Sequence, residues 1–408
     1  MALVINKPHI KVKQFKTGCL SQYTYLIECG KEVAFVDPLR DIKTYTDLVS
    51  QEHLHVKWIL ETHYHADFVS GHFDLAKHTH GKIVFGPDSN PTFECKVAKH
   101  NELLPLGDHH LRVLHTPGHT LESSCYVLED PNNHPICVFT GDTLFLGEVG
   151  RPDLAQSGSI NDKDLAKMLF KSLKLLKALP DDCIVFPAHG AGSACGKNIS
   201  AGDYCVIGIQ KQNNVPFRTE EEDKFVEIAT SHIPAPPSYF SHDVALNKAG
   251  KIESVDEIVS HSCHPMTAEV FKNHAGQPKT FVLDCRTGPE FVAGHMPGAI
   301  FCPLDQSYAI WATYAVDPRK NEKCLLITPP GKEKEAITRL TRTGVDCVQG
   351  YLEGGFEAWT NAGYPVTKTK VVQYENAEEF KQKTEGGRIL DVRNLGEWED
   401  GVYKGATL

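Results

Sequence analysis

The sequence predicts an α/β chain: one layered domain of alternating buried strands and amphipathic helices, followed by further strand-and-helix units. Three observations carry this. Short apolar runs broken by Gly, Pro, Asp and His recur from Phe15 to Ala188, as buried strands do. Leucines three and four apart mark a long amphipathic helix. Two segments about a hundred residues apart near the C-terminal end resemble each other, which marks an internal repeat.

The strands are expected at Val33-Ala34-Phe35-Val36, Trp58-Ile59-Leu60, Lys82-Ile83-Val84-Phe85, Cys137-Val138-Phe139 and Ile184-Val185-Phe186. The helix is expected from Asp162 to Leu179, where Leu165, Met168, Leu169, Leu173 and Leu176 line one face and lysines the other. At Ile233-Pro234-Ala235-Pro236-Pro237-Ser238 periodicity is lost, as suits a segment that wraps or links. The expected domains are 1–243, 244–368 and 369–408, the last still opening at Leu408. The repeat pairs Leu283-Asp284-Cys285-Arg286 and Glu290-Phe291 with Leu390-Asp391-Val392-Arg393 and Glu397-Trp398.

A length of 408 residues exceeds what one core usually serves. The net charge of -10 is spread along the chain, and no run of Lys and Arg is long enough to track a phosphate backbone, so nucleic acid is not an expected partner. No run approaches the roughly 18 apolar residues of a membrane span, and no signal-like core follows Met1, so no membrane partner and a cytoplasmic location are expected. The 13 cysteines are read as reduced thiols rather than a disulfide framework.

Four islands of ligand-type residues each follow an apolar strand: Thr62-His63-Tyr64-His65-Ala66-Asp67-Phe68, His115-Thr116-Pro117-Gly118-His119, Thr140-Gly141-Asp142-Thr143 and Phe186-Pro187-Ala188-His189-Gly190. One histidine at a strand end is ordinarily a satisfied core residue. Four such islands in order point instead to a metal centre whose ligands project from rigid strand termini.

This order of paired histidines, aspartate, histidine, aspartate and histidine resembles the metallo-β-lactamase superfamily over about residues 10–240, which implies an αββα sandwich. The binuclear hydrolases of that fold place a histidine directly after the first aspartate, where this chain has Phe68. The closer resemblance is to the persulfide dioxygenase branch, which implies one Fe(II) per chain held by His63, His119 and Asp142. His65, Asp67 and His189 are then expected to orient ligands or water without binding the ion. The segment Gly150-Arg151-Pro152-Asp153 resembles one bordering the family's active site. Arg151 is expected either to face an anionic persulfide or to pair with Asp153 across a turn. Cys195, in a Gly- and Ser-rich loop after His189, either contacts substrate or is an inert loop cysteine.

The stretches from Leu283 to Ile300 and from Tyr351 to Trp359 are similar to the two halves of a rhodanese domain. Its nucleophile loop would carry Cys-x-x-Gly-x-Arg; aligned on Gly331, this chain has Thr328 and Glu333 at the Cys and Arg positions. A domain without sulfurtransferase activity, serving docking or assembly, is therefore expected, and residues 369–408 would open a second one.

The resemblance implies oxidation of a glutathione-type persulfide by O2 to sulfite and thiol, in sulfide detoxification, by a homo-oligomer. The alternative is a zinc-dependent thioester hydrolase of the glyoxalase II (hydroxyacylglutathione hydrolase) kind, with Zn(II) at the same residues. A third reading is a sulfur-trafficking scaffold with an inert metal domain, which the complete ligand set opposes.

Overall fold

The computed structural model describes residues 1–155, 160–305, 307–393, 395–399 and 401–407; Leu408, the expected end of the last domain, lies outside them. Two sheets face each other. One runs Ala2–Lys7, Ile10–Thr17, Gln22–Cys29, Glu32–Val36, His55–Leu60, Lys82–Phe85 and Lys96–Val97 in that spatial order. The other runs Cys205–Val206, Ile184–Pro187, Pro135–Gly141, Ser124–Glu129, His109–His115 and Leu103–Leu106. Their inner faces interdigitate through Val12, Tyr25, Ile27 and Leu60 against Val113, Tyr126, Phe139 and Phe186, with the Tyr25 ring 5.1 Å from Phe139 and 5.2 Å from Phe186.

Helices Lys43–Gln51 and His72–Thr79 cover the first sheet, burying Tyr45 and Leu75 against Phe35 and Ile59. The expected long helix forms over Asp162–Lys177 and covers the second sheet with Glu222–Thr230. Asn161 starts it with a capping box, accepting from the N–H groups of Lys163 and Asp164. Leu165, Leu169, Leu173 and Leu176 are buried as their spacing requires, each worth about 1.5–3 kcal/mol. This is the αββα sandwich.

A second domain follows, an all-parallel sheet in the order Pro265–Met266, Val348–Leu352, Lys323–Ile327, Thr280–Asp284 and Ile300–Phe301, with helices around it. Parallel pairing needs crossover helices, and the apolar runs Val282-Leu283 and Leu325-Leu326-Ile327 are buried accordingly. In the remaining segment, Arg393 donates to Asp391 and to the Gly401 carbonyl, as Arg286 does to Asp284 and the Gly294 carbonyl. The repeat read from the sequence thus extends to its contacts.

The expected boundary at residue 243 falls inside helix Phe240–Lys248. Asn247 from that helix donates to the carbonyls of His65 and Phe68, both at 2.8 Å, and accepts from Ser70 N–H, also at 2.8 Å. The helix therefore buttresses the turn that carries the first ligand island. The second domain packs on the loop after strand Glu32–Val36, where buried Arg40 donates to the Thr341 and Glu253 carbonyls and to Asp346, each at 2.9 Å, and Arg342 pairs with Asp41 at 2.6 Å. No helix is long and apolar enough to cross a membrane among the described residues.

Candidate metal centre

The strand His55–Leu60 ends at Glu61, and the chain turns through Thr62 to Ser70 before helix His72–Thr79 begins. His63 projects from this turn. His119 follows the Pro117-Gly118 corner, where Gly118 has φ +143 and a Cβ would strike the Leu169 backbone, so only glycine lets the corner pack on the long helix. Asp142 follows Gly141, whose φ is +52 and whose Cβ would collide with Thr62. His189 follows strand Ile184–Pro187.

These elements bring His63, His119 and Asp142 together, with one ligand atom from each lying within 4.8 Å of the others. The Nε2 atoms of His63 and His119 stand 3.8 and 3.5 Å from Asp142 Oδ2, and the two rings are perpendicular with centroids 5.0 Å apart. Asp142 Oδ2 is buried without a hydrogen-bond partner, an arrangement that costs free energy unless a cation fills it.

The other ring nitrogens are occupied. His119 Nδ1 donates to the Arg151 carbonyl at 2.9 Å, and His63 Nδ1 lies 2.9 Å from Thr62 Oγ1. His119 Nε2 therefore turns a lone pair toward the orphaned carboxylate oxygen, and His63 Nε2 lies beside the same atom. Burial, then the neighbouring His65, holds His63 well below its ordinary range, and burial likewise lowers His119, so both are neutral imidazoles ready to ligate. Burial alone would raise the Asp142 carboxyl, but His189, beside it and hydrogen-bonded to it, outweighs burial and lowers it. Two neutral imidazoles and one carboxylate fit a divalent transition metal.

His189 stands behind this group. Its Nδ1 donates to Asp142 Oδ1 at 2.8 Å and its Nε2 lies 2.8 Å from Asp67 Oδ2. Burial opposes its charge, yet the two carboxylates drive it well above its ordinary range. Asp67, His189 and Cys195 form a second group of three within 4.8 Å. Cys195 is buried, and burial pushes its thiol up. His65 is turned the other way, its Nε2 3.1 Å from Asp37 Oδ1 and 3.6 Å from Glu61 Oε2. The Phe68 ring lies 4.1 Å from that of His65 and is buried among Leu20, Leu26, Phe35 and Ile59.

Arg151 takes the second of its two expected arrangements, although it is buried rather than superficial. Its Nε and Nη2 donate to Asp153 at 2.7 and 2.8 Å, Nη1 donates to the Ala194 carbonyl at 3.2 Å, and Nη2 also donates to the Pro234 carbonyl. The guanidinium is thus engaged by protein on every side, and the residue meets the ligand set through its backbone carbonyl. The contact with Pro234 also fixes the proline-rich segment against the metal domain. Asp37 is not singled out by the sequence, although Val36-Asp37-Pro38 ends a buried strand with an acid, which is the signal that marks it.

In the second domain Thr328 ends strand Lys323–Ile327 and is buried. Glu333 accepts from Gly331 N–H at 3.1 Å, so the acid fills part of the anion cradle. Cys285, Cys302 and Cys324 are buried in the core.

Residues 17–93 and 96–189 match the metallo-beta-lactamase superfamily, and residues 267–362 match the rhodanese-like domain. The chain is 31% identical over 220 residues to the probable hydroxyacylglutathione hydrolase glo2 of Schizosaccharomyces pombe, covering 53% of this chain and 76% of that protein. A metallo-beta-lactamase from Staphylococcus aureus is 32% identical with a TM-score of 0.73, over 84% of this chain and 98% of that one. ETHE1 from Myxococcus xanthus is 25% identical with a TM-score of 0.50, over 59% of this chain and 99% of that one.

Proposed function

This chain belongs to the metallo-β-lactamase superfamily, and on that premise we propose that it oxidises the outer sulfur of a low-molecular-weight thiol persulfide, of the glutathione persulfide type, using one Fe(II) per chain. Persulfide, O2 and water give sulfite, the free thiol and two protons. Atoms balance: both oxygens of O2 and one from water reach the outer sulfur, and the S–S bond breaks to release the thiol. The observation that carries the reading is the orphaned Asp142 Oδ2 flanked by two bare imidazole nitrogens.

Bound there, Fe(II) would supply open coordination positions for O2 and a sulfur anion, the sulfur being the net source of electrons. The protein's own residues do the rest. His119 is oriented by the Arg151 carbonyl and His63 by Thr62. His189 holds Asp142 Oδ1, which leaves Oδ2 facing the ion. All three ligands are buried, so bulk water is kept from them.

Phe68 supports a single ion, because a phenyl ring cannot ligate where the binuclear hydrolases have a histidine. One observation favours the second reading, a zinc thioester hydrolase. Asp67, His189 and Cys195 offer a second group of donors, and a relative is named a probable hydroxyacylglutathione hydrolase. Metal analysis of anaerobically purified protein separates the two. About one iron per chain supports the dioxygenase, and about two zinc per chain overturns it.

A further inference from the structure

We propose that Asp37 is the positioning residue that, through Thr62, sets which nitrogen of His63 carries the proton. This deepens the single-ion reading above and rests on it.

Asp37 ends strand Glu32–Val36 in the left-handed region, at φ +50, and is buried. A non-glycine residue there carries strain that its surroundings must offset. They do so through its backbone. Asp37 N–H donates to the Leu60 carbonyl at 2.9 Å, and its own carbonyl accepts from Thr24 Oγ1 at 2.7 Å and Gln22 Nε2 at 2.9 Å. The carboxylate is thereby aimed at the first ligand island. Oδ1 accepts from Thr62 N–H at 2.8 Å and Oδ2 from Thr62 Oγ1 at 2.9 Å.

Because Thr62 Oγ1 donates to Asp37 Oδ2, the hydroxyl has spent its one proton there. What Thr62 Oγ1 turns toward His63 Nδ1, 2.9 Å away, is then a lone pair. His63 must carry its proton on Nδ1, and Nε2 is left bare toward Asp142 Oδ2. The same Asp37 Oδ1 lies 3.1 Å from His65 Nε2, with no hydrogen bond between them.

Asp37→Asn has a directed consequence. Thr62 N–H requires an acceptor, so the amide oxygen stays on that side and the NH2 faces Thr62 Oγ1. The hydroxyl then accepts from Asn and donates to His63 Nδ1, and the histidine proton moves to Nε2, where it blocks ligation. Thr62→Val removes the hydroxyl and the relay without inverting it. Thr62→Ser keeps the relay.

The test measures Co(II) affinity of the metal-free full chain, with the visible Co(II) band as the coordination signature. It also measures the histidine 15N shifts, the His63 signal being identified by its loss in His63→Gln. Asp37→Asn should weaken Co(II) binding about 10–100-fold and move the His63 proton to Nε2 in the metal-free protein. Thr62→Val should weaken binding by less, Thr62→Ser should restore it, and Asp37→Asn should cost less in the Thr62→Val background than alone. Wild-type affinity in folded Asp37→Asn, or costs that simply add, would overturn the proposal. If Asp37→Asn does not fold, equal Co(II) affinity in Thr62→Val and wild type overturns it instead. Co(II) alone is the probe, so these outcomes are independent of whether persulfide is the substrate, which O2 uptake tests separately.

Discussion

Val69 donates its backbone N–H to the carbonyl of Arg342 at 2.8 Å, joining the turn that carries His63, His65 and Asp67 directly to the rhodanese-like domain. That domain lacks a cysteine at its nucleophile position, yet it packs against the back of the metal turn. Arg40 and Arg342 reinforce the contact from both sides.

Arg40→Ala should therefore destabilise the interface, because it strands Asp346 and the buried Thr341 carbonyl. A loss of about 1–3 kcal/mol is expected, because Arg40 is buried while Asp346 keeps partial access to water. Urea unfolding followed by fluorescence checks this. The variant should lose a single cooperative transition and show the two domains melting separately, whereas an unchanged midpoint would remove the coupling.

Asp243 lies at the same interface, buried, with neither carboxylate oxygen hydrogen-bonded. Burial, reinforced by Asp67 and Asp346, raises its carboxyl well above the ordinary range, so the folded state keeps the proton over a range where the unfolded chain has lost it. The unfolded state binds fewer protons there, and stability falls as pH rises from about 4 toward the folded value. Asp243→Asn should raise the Tm at pH 7, with the gain fading as pH is lowered toward about 4. A pH-independent difference would contradict the account.

Rhodanese activity, read as thiocyanate from thiosulfate and cyanide, should be absent, and Thr328→Cys alone should not create it. Pro330 has no N–H to give, and Gly331 N–H is already donated to Glu333. Turnover in the unmodified chain would mean that another cysteine acts as nucleophile.

Phe68→His should let the protein hold a second zinc. The new imidazole would join Asp67, His189 and Asp142, and zinc content after equilibrium dialysis should rise from about one to about two per chain. Two tightly held zinc ions in the unmodified protein would show that Phe68 is no barrier.

The cluster of His63, His119 and Asp142 is legible because each follows a buried strand and a turn, a pattern that survives without knowledge of packing. The strands and the long helix are legible for the same reason, since Leu165 to Leu176 repeat with the helix period. What the sequence does not expose are contacts between distant segments. Asn247 supports His65 and Phe68 from a helix 179 to 182 residues away, and the boundary expected at residue 243 cuts that helix. The sequence leaves Arg151 open between an anion and Asp153; the pairing with Asp153 is the one found, and only the fold reveals the Ala194 and Pro234 contacts and the carbonyl that it offers to His119. Asp37 acts through Thr62, a partner 25 positions later.

The most direct test supplies glutathione persulfide to the anaerobically purified iron protein and follows O2 with an electrode while sulfite and thiol are assayed. The account predicts O2 uptake only when persulfide is present, about one sulfite and one thiol formed per O2, and loss of all three in His119→Ala. Absence of O2 uptake in the iron-loaded protein, together with hydrolysis of a hydroxyacylglutathione thioester by the zinc form, would contradict it.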